Sequence, residues 1–451
     1  MNQNTDHFLT RREKILAYTK KILIITYYWP PSGGPAVQRW LSLANELAQL
    51  GWEVFVITVD EKYATYQLHD DSHEKKIHEN IKIIKTKTRE PFGLYKFFFG
   101  RKSIPAPGFS NESNPSPIKK VARFIRGNIF IPDPRRGWKP FIVEAASELI
   151  IEEQMTKVIT AGPPHSTHLA GIELKKKFGK LEWTCDFHDL WTDVIYYHLL
   201  YHLPATKRKD AELEKKVLEQ CDSILTVGEK YKARLLSKSG KISTDKFHVC
   251  RIGYDENLFL DVQSTPQEKF IITYTGTMAD YYQPAIFFHA LKNVIVSHPH
   301  ISFQLRFVGI IAENIQKDLV LMGLAHILDI TGYVPHEKAV SYTKSSTVLL
   351  LVNPVTKDEE VVIPGKIYEY LAARKPIINI TKKESETAEL IEQCRAGRTF
   401  TRDMQKELEE YLSGMAEAWT KNKTLDLPYN NSIERFSRRQ IALELNNFLL
   451  H

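Results

Sequence analysis

KILIITYYWPPSGGPAVQRWLSLANELAQLGWEVFVITV, residues 21–59, decides the fold. Residues 21–28 form a continuous apolar, β-branched run, the pattern of a strand buried on both faces. The run ends in WPPSGGPAV. QRWLSLANELAQLG then places Trp40, Ala44 and Leu47, with Leu43 and Leu50, at helical spacing until Gly51 stops the helix. EVFVITV (53–59) reads as the next strand, which completes a βαβ unit.

The same alternation runs outward from this unit. KVITAG (157–162), WTCDFH (183–188) and SILTVG (223–228) continue the parallel pattern. After the turn-rich stretch YDENLFLDVQSTPQEK (254–269) it restarts with FIITYTG (270–276), a helix from Pro284, SFQLRFVG (302–309), ILDITGY (327–333), TVLLLVNP (347–354), a helix within VVIPGKIYEYLAARKPII (361–378), and PIINI (376–380). These runs predict an α/β fold of two Rossmann-like doubly wound domains facing across a cleft. The N-terminal domain is expected over 1–253, with an insertion at 87–140 rich in Pro, Lys, Arg and aromatics that reads as a decorating loop region. The C-terminal domain is expected over 254–430, and a final helix in 431–451 is expected to pack back on the first domain. At 451 residues the chain is long enough for two cores.

Composition sets the compartment. The first twenty residues are charged throughout and lack a secretory apolar core, and the chain holds no long uninterrupted apolar run, so a soluble, cytoplasmic protein is expected. Cys185, Cys221, Cys250 and Cys394 are widely spaced without a CxxC pair, which argues against a zinc ribbon or a disulfide framework. The net charge of +7 permits an anionic partner without requiring nucleic acid, and none is expected.

In open parallel sheets, ligands bind where strands end and helices begin. Lys366 and Glu369 share one side of the helix that opens on Pro364 and Gly365, just beyond TVLLLVNP. Its first turn offers N–H groups to a phosphate, Lys366 adds a full charge, and Glu369 offers an acceptor to a ribose or sugar hydroxyl. The alternative is a solvated Lys–Glu pair, worth a few tenths of a kcal/mol. Gly33 and Gly34 follow the first strand, where missing Cβ atoms admit a ligand or simply make a tight turn. This loop is neither GxGxxG nor GxxxxGK[ST], which disfavours a dinucleotide dehydrogenase and a P-loop enzyme. Gly276 and Thr277 repeat the strand-then-glycine arrangement in the second half. Asp189 in DFHDLWTD is a candidate to accept from an acceptor hydroxyl or to orient a neighbour, in competition with His188, Asp186 and a simple capping role. Tyr333 in TGYVPHE lies at a strand end, where it would flank a base.

The doubly wound halves, the SGG loop, YTGT at 274–277 and PGKIYEYLAARKPI at 364–377 together resemble a GT-B glycosyltransferase of family 4 over almost the whole chain. The resemblance implies a UDP- or GDP-sugar donor bound mainly by the second domain, transfer with retention of configuration, and no bound metal. In the family motif two glutamates flank seven residues; the second position is Glu369 here, but the first is Val361, with Glu360 beside it as a stand-in. The Arg and Lys that many relatives carry after the glycine at 276 are replaced by Thr277 and Gln283, so the resemblance passes the diphosphate charge to Lys366, with Arg251 a weaker candidate. It also gives His165, in GPPHSTHLAG, a contact with the donor sugar. The reaction would be front-face transfer, since no paired carboxylates stand out for a nucleophilic route. The acceptor is expected to be a glycan or a lipid-linked sugar of cell-surface polysaccharide synthesis. Two rivals remain, a non-catalytic nucleotide-sugar-binding or scaffold protein and a sugar-nucleotide epimerase.

On the acceptor side, Ile118, Val121, Ala122 and Ile125 make one helical face, with Lys119, Lys120, Arg123 and Arg126 opposite. That is the pattern of an interfacial helix, so a peripheral contact with the inner face of the membrane through 118–139 is expected; the alternative is an ordinary amphipathic surface helix.

Overall fold

The computed structural model describes residues 20–66, 68–91, 116–260, 267–425, 427 and 430–450. The expectations for the first nineteen residues and for 92–115 of the insertion lie outside the described residues.

Thirteen described strands form two sheets. The first contains β1 (Lys21–Ile25), β2 (Glu53–Val59), β3 (Lys82–Thr86), β4 (Lys157–Gly162), β5 (Glu182–Phe187), β6 (Ser223–Thr226) and β7 (Phe247–Val249), in the order β3-β2-β1-β4-β5-β6-β7. The second contains β8 (Phe270–Thr275), β9 (Phe303–Val308), β10 (Leu328–Gly332), β11 (Val348–Val352), β12 (Ile377–Ile380) and β13 (Gly397–Phe400), in the order β10-β9-β8-β11-β12-β13. The helices in chain order are α1 (Pro35–Gln49), α2 (Pro117–Ile129), α3 (Lys139–Glu152), α4 (Ser166–Lys177), α5 (Pro204–Gln220), α6 (Glu229–Leu236) and α7 (Ala285–Ser297), then α8 (Glu313–Leu321), α9 (His336–Lys344), α10 (Lys366–Ala373), α11 (Glu386–Gln393), α12 (Gln405–Asn422) and α13 (Arg438–Leu450).

The opening βαβ unit forms as its pattern dictates. Leu23 pairs in parallel with Phe55 on one side and Val158 on the other, so β1 is a central strand and must be apolar on both faces. Trp40, Leu43, Ala44 and Leu47 bury the inner stripe of α1. Gly51 takes φ +84°, a left-handed conformation that a side chain disfavours, and turns the chain into β2. In the second sheet, alternate residues of β11 serve opposite cores. Val348, Leu350 and Val352 pack with Phe287, Leu291 and Trp419, while Leu349 and Leu351 pack with Ile367, Leu371 and Ile377.

The described residues divide into two compact units, one drawn from 20–91, 129–191 and 205–225, the other from 116–128, 192–204 and 226–450. Residues 226–253, read from the sequence as the end of the first domain, group with the second unit. The Glu386 carboxylate accepts from the Glu229 and Lys230 N–H groups at the start of α6, each at 2.9 Å, and pairs with Arg251 at 2.9 Å. α13 falls in the same unit, and its Phe448 ring stacks at 4.7 Å on His248 of β7, the edge strand of the first sheet, the side on which the final helix was expected to pack. The insertion, expected to be irregular, is helical over α2 and again from Lys139. There is a correction within α2 as well. Arg123, expected on the solvated cationic side, is 3 % exposed, whereas Ile118 and Val121 are 63 % and 57 % exposed.

Candidate functional site

In the second unit, α10 brings Lys366 and Glu369 to the end of β8. Ile367, Tyr368, Tyr370 and Leu371 are buried and fix the helix, and the Tyr370 hydroxyl accepts from the Thr275 N–H at 2.8 Å. Tyr370 and Ala373, placed by helical spacing on the charged side, belong to the core, which leaves a polar face of Lys366 and Glu369. The Lys366 ammonium stands 3.8 Å from the Tyr274 ring centroid, a cation–π contact. Gly276 takes φ +91°, a conformation that favours glycine, and a Cβ there would sit in tight contact, 3.3 Å, with the Lys366 Nζ. Burial lowers the Lys366 pKa to about 7, against the opposing attraction of Glu369. Thr277 follows at half exposure, and its carbonyl accepts from the Tyr274 hydroxyl at 2.8 Å.

Glu369 meets a residue that sequence reasoning missed. His336 Nε2 lies 2.6 Å from the Glu369 carboxylate. His336 stands in TGYVPHE, the same strand-end stretch as Tyr333, which is 74 % exposed. Gly365 caps α10 without a side-chain hydrogen bond, so the first-turn N–H groups there are not taken by a cap side chain. Arg251 pairs with the buried Glu386 carboxylate at 2.9 Å. Glu360, the neighbour of Val361, pairs with Lys382 at 3.1 Å, and Glu359 with Arg402 at 2.8 Å.

The first unit holds the remaining candidates. His165 precedes α4 at the end of β4 and stacks on Trp191, centroids 5.1 Å apart and planes 6° from parallel. Burial pushes its pKa down to about 3, so the ring is neutral at physiological pH. His168, behind it, has its pKa lowered by burial and by His165, and its Nδ1 lies 2.9 Å from the Thr160 hydroxyl. Asp189 is half-buried, next to His188. Asp186, its competitor, is fully buried and accepts from Arg39 at 2.8 and 3.1 Å and from the Trp40 indole at 2.8 Å. That arrangement makes Asp186 a structural anchor between β5 and α1. Gly33 lies against the segment at 68–70: its N–H donates to the Leu68 carbonyl at 2.9 Å, and a Cβ would come within 3.2 Å of Leu68. Gly34 takes φ +96° at the start of α1, again a glycine conformation.

These elements, two parallel sheets with strand-end glycines and an ammonium at a helix start, are accompanied by a sequence match. Residues 269–417 match the family described as Glycosyl transferases group 1. The fold is that of GT-B glycosyltransferases, shared with solved structures of low sequence identity. Sucrose-phosphate synthase from Thermosynechococcus elongatus aligns with a TM-score of 0.57 and 16 % identity over 95 % of this chain and 98 % of that one. The lipopolysaccharide outer core galactosyltransferase WaaB aligns at 0.56 and 14 %, over 95 % and 99 %. TarM from S. aureus, solved with fondaparinux, alpha-GlcNAc-glycerol and UDP, aligns at 0.58 and 10 %, over 96 % and 100 %. No curated protein is similar to the chain in sequence.

Proposed function

We propose that the protein is a retaining, metal-independent glycosyltransferase that moves a sugar from a UDP- or GDP-sugar to a glycan or lipid-linked acceptor in cell-surface polysaccharide synthesis. The observation that carries this reading is the Lys366 ammonium beside Gly276 at a strand end, inside the segment that matches the family. Breaking a sugar–diphosphate bond places negative charge on the leaving diphosphate. A cation withdrawn from water lowers that barrier more than a solvated one does. Lys366 supplies this charge, and the positive end of the α10 dipole adds to it. Glu369, oriented by His336, accepts from a ribose hydroxyl, and Tyr333 flanks the base. His165, neutral and held flat on Trp191, bonds a hydroxyl of the transferred sugar. Asp189 accepts from another hydroxyl of the acceptor and so orients the reacting one. In a front-face transfer the acceptor oxygen approaches the anomeric carbon on the side the diphosphate leaves. The carbon–oxygen bond to diphosphate breaks, the new one forms on the same face, and the acceptor proton passes to the departing diphosphate oxygen.

Peripheral attachment to the inner face of a membrane through residues 118–139 belongs to the same reading. Its support is the exposed apolar row on α2, Ile118, Val121, Phe124, Ile125 and Ile129, in a chain whose described helices include none long and apolar enough to cross a membrane.

The test is incubation of the purified chain with a panel of UDP- and GDP-sugars. Slow release of nucleoside diphosphate, faster with an added acceptor, is expected. Binding without turnover would make the protein a nucleotide-sugar scaffold, and conversion to an isomeric nucleotide sugar would make it an epimerase.

A further inference from the structure

A second site lies at the carboxyl edge of β2 and β3; none of the residues assigned above to the donor or the acceptor lines it, and it shares Arg136 with the 118–139 segment. A pocket of about 640 Å³ is lined there by three loops, 62–65 after β2, 88–91 after β3, and the stretch from Phe130 to Gly137 before α3. Carboxyl edges of parallel strands are where such folds place ligands. Three cations line the pocket, one from each loop: Lys62, Arg89 and Arg136. None has an ion-pair partner among the described residues.

One carboxylate, Glu90, also lines the pocket, and the other acidic groups nearby are committed elsewhere. Glu90 accepts from the Tyr27 hydroxyl with one oxygen and from the Thr65 hydroxyl with the other. Glu61 pairs with Lys85 at 3.4 Å, Asp60 accepts from the Lys62 N–H at 2.9 Å, and Asp133 accepts from the Ser166 N–H and hydroxyl at 2.8 and 2.9 Å. Beneath the pocket, Arg135 lies 4.7 Å from the Tyr27 ring centroid and donates to the Thr65 carbonyl at 3.2 Å, adding charge rather than cancelling it. The pocket also contains Thr88, 8 % exposed, whose hydroxyl has no hydrogen-bond partner among the described residues.

The walls are fixed in place. A Cβ on Gly137 would fall 1.9 Å from the Arg89 carbonyl oxygen, so only glycine lets the turn before α3 close on the exit of β3. The Trp138 indole donates to the Thr86 hydroxyl at 2.7 Å and ties the same two segments. Three like charges gathered on a rigid frame repel one another unless an anion lies between them. With the Glu90 carboxylate also in the lining, the excess is two charges, and a monoanion would leave one of them uncompensated. A phosphate, with a charge of about −1.5 to −2 at pH 7 and oxygens suited to forked guanidinium contacts, compensates most of the excess.

We infer that this pocket, framed by Lys62, Arg89, Arg136 and the Thr88 hydroxyl, binds a phosphate group carried by the acceptor. The inference rests on the proposed transferase reading for the word acceptor, whereas phosphate binding can be measured without turnover. The experiment compares the full chain with a variant carrying Lys62→Gln, Arg89→Gln and Arg136→Gln, both saturated with UDP or GDP so that the nucleotide site does not contribute. Titration with glucose 6-phosphate probes a soluble source, and sedimentation with phosphatidylcholine vesicles containing phosphatidic acid probes a lipid headgroup. Affinity for the matching probe is expected to fall on the order of tenfold for each charged contact removed. Loss of glucose 6-phosphate binding supports a soluble phosphorylated acceptor, and loss confined to the vesicles supports a lipid phosphate. Equal behaviour of the two proteins toward both probes, or no binding by the wild type, overturns the inference. Unchanged UDP or GDP affinity in the variant keeps this result separate from the transferase reading. If the triple variant melts at a lower temperature, Lys62→Gln alone, at an exposed position, carries the same comparison.

Discussion

Lys366 is buried enough to lose its proton near neutrality, and this gives two pH trends of opposite sign. Its folded pKa, about 7, lies below the ordinary value of 10.5, so the folded state binds fewer protons than the unfolded one between these values. In the absence of ligand, stability therefore gains from this group as pH rises from about 7 to 10.5; below 7 the cost of a buried ammonium is fully present. Diphosphate needs the charged form, so nucleotide affinity is expected to fall as pH rises above 7. Calorimetric titration with UDP and GDP at pH 6 to 9, on wild type and Lys366→Met, checks this, and a slope that survives the substitution would remove Lys366 from the diphosphate. Lys366→Ala is expected to cost about 2 to 4 kcal/mol of transition-state stabilisation with folding intact, measured as kcat/KM. His165 behaves differently. With a pKa near 3 it stays neutral throughout the working range, so His165→Ala is expected to lower kcat by up to about tenfold, the worth of one hydrogen bond, while leaving affinity for the free nucleoside diphosphate unchanged. An equal loss of nucleotide affinity would place it at the other end of the donor.

At the scale of elements, β1, β2 and β4 were legible because strands buried on both faces are written as unbroken apolar runs. β3 (KIIKT) and β13 (GRTF) were not, since they lie at sheet edges, carry alternating or polar residues and owe their conformation to one neighbour each, β2 and β12. α2 was legible as an amphipathic helix, but its orientation was not. Sequence periodicity separates two faces without saying which one the protein covers; here Arg123 and Gly127 turn inward, and a Cβ at Gly127 would strike the Leu200 carbonyl at 2.3 Å. The exposed apolar face sharpens the membrane test. Ile118→Ser, Val121→Ser and Ile125→Ser together are expected to abolish sedimentation with anionic vesicles, each lost side chain weakening insertion by roughly 1 to 3 kcal/mol. Lys119→Gln with Lys120→Gln is expected to cost about 1 kcal/mol per charge, an effect that fades at high salt. Vesicle binding unchanged by both sets would leave α2 an ordinary surface helix.

For the molecule as a whole, a buried ion pair joins the opening βαβ unit to the middle of its sheet. Asp186 and Arg39 are 0 % and 2 % exposed, and Arg39→Ala is expected to destabilise the fold by about 3 to 5 kcal/mol because it strands a buried carboxylate; denaturant unfolding with a shifted midpoint and unchanged nucleotide affinity is the readout. Hydrogen exchange offers a second whole-chain test: UDP or GDP is expected to slow exchange at 274–277 and 366–371 and to leave 21–25 unaffected. Protection appearing only at 21–25 would move the nucleotide to the first sheet. By itself the sequence determined the two runs of alternating strands and helices, the glycines that end β1 and β8, and the helix that carries Lys366 and Glu369. Each of these follows from local periodicity or from backbone geometry that few residues satisfy. Only the tertiary structure decided what each polar group meets. It set Lys366 over Tyr274, gave His336 to Glu369, spent Asp186 on Arg39 and Arg251 on Glu386, and gathered Lys62, Arg89 and Arg136 around one pocket. Burial, partners and charge are properties of distant segments brought together, and no spacing along the chain encodes them.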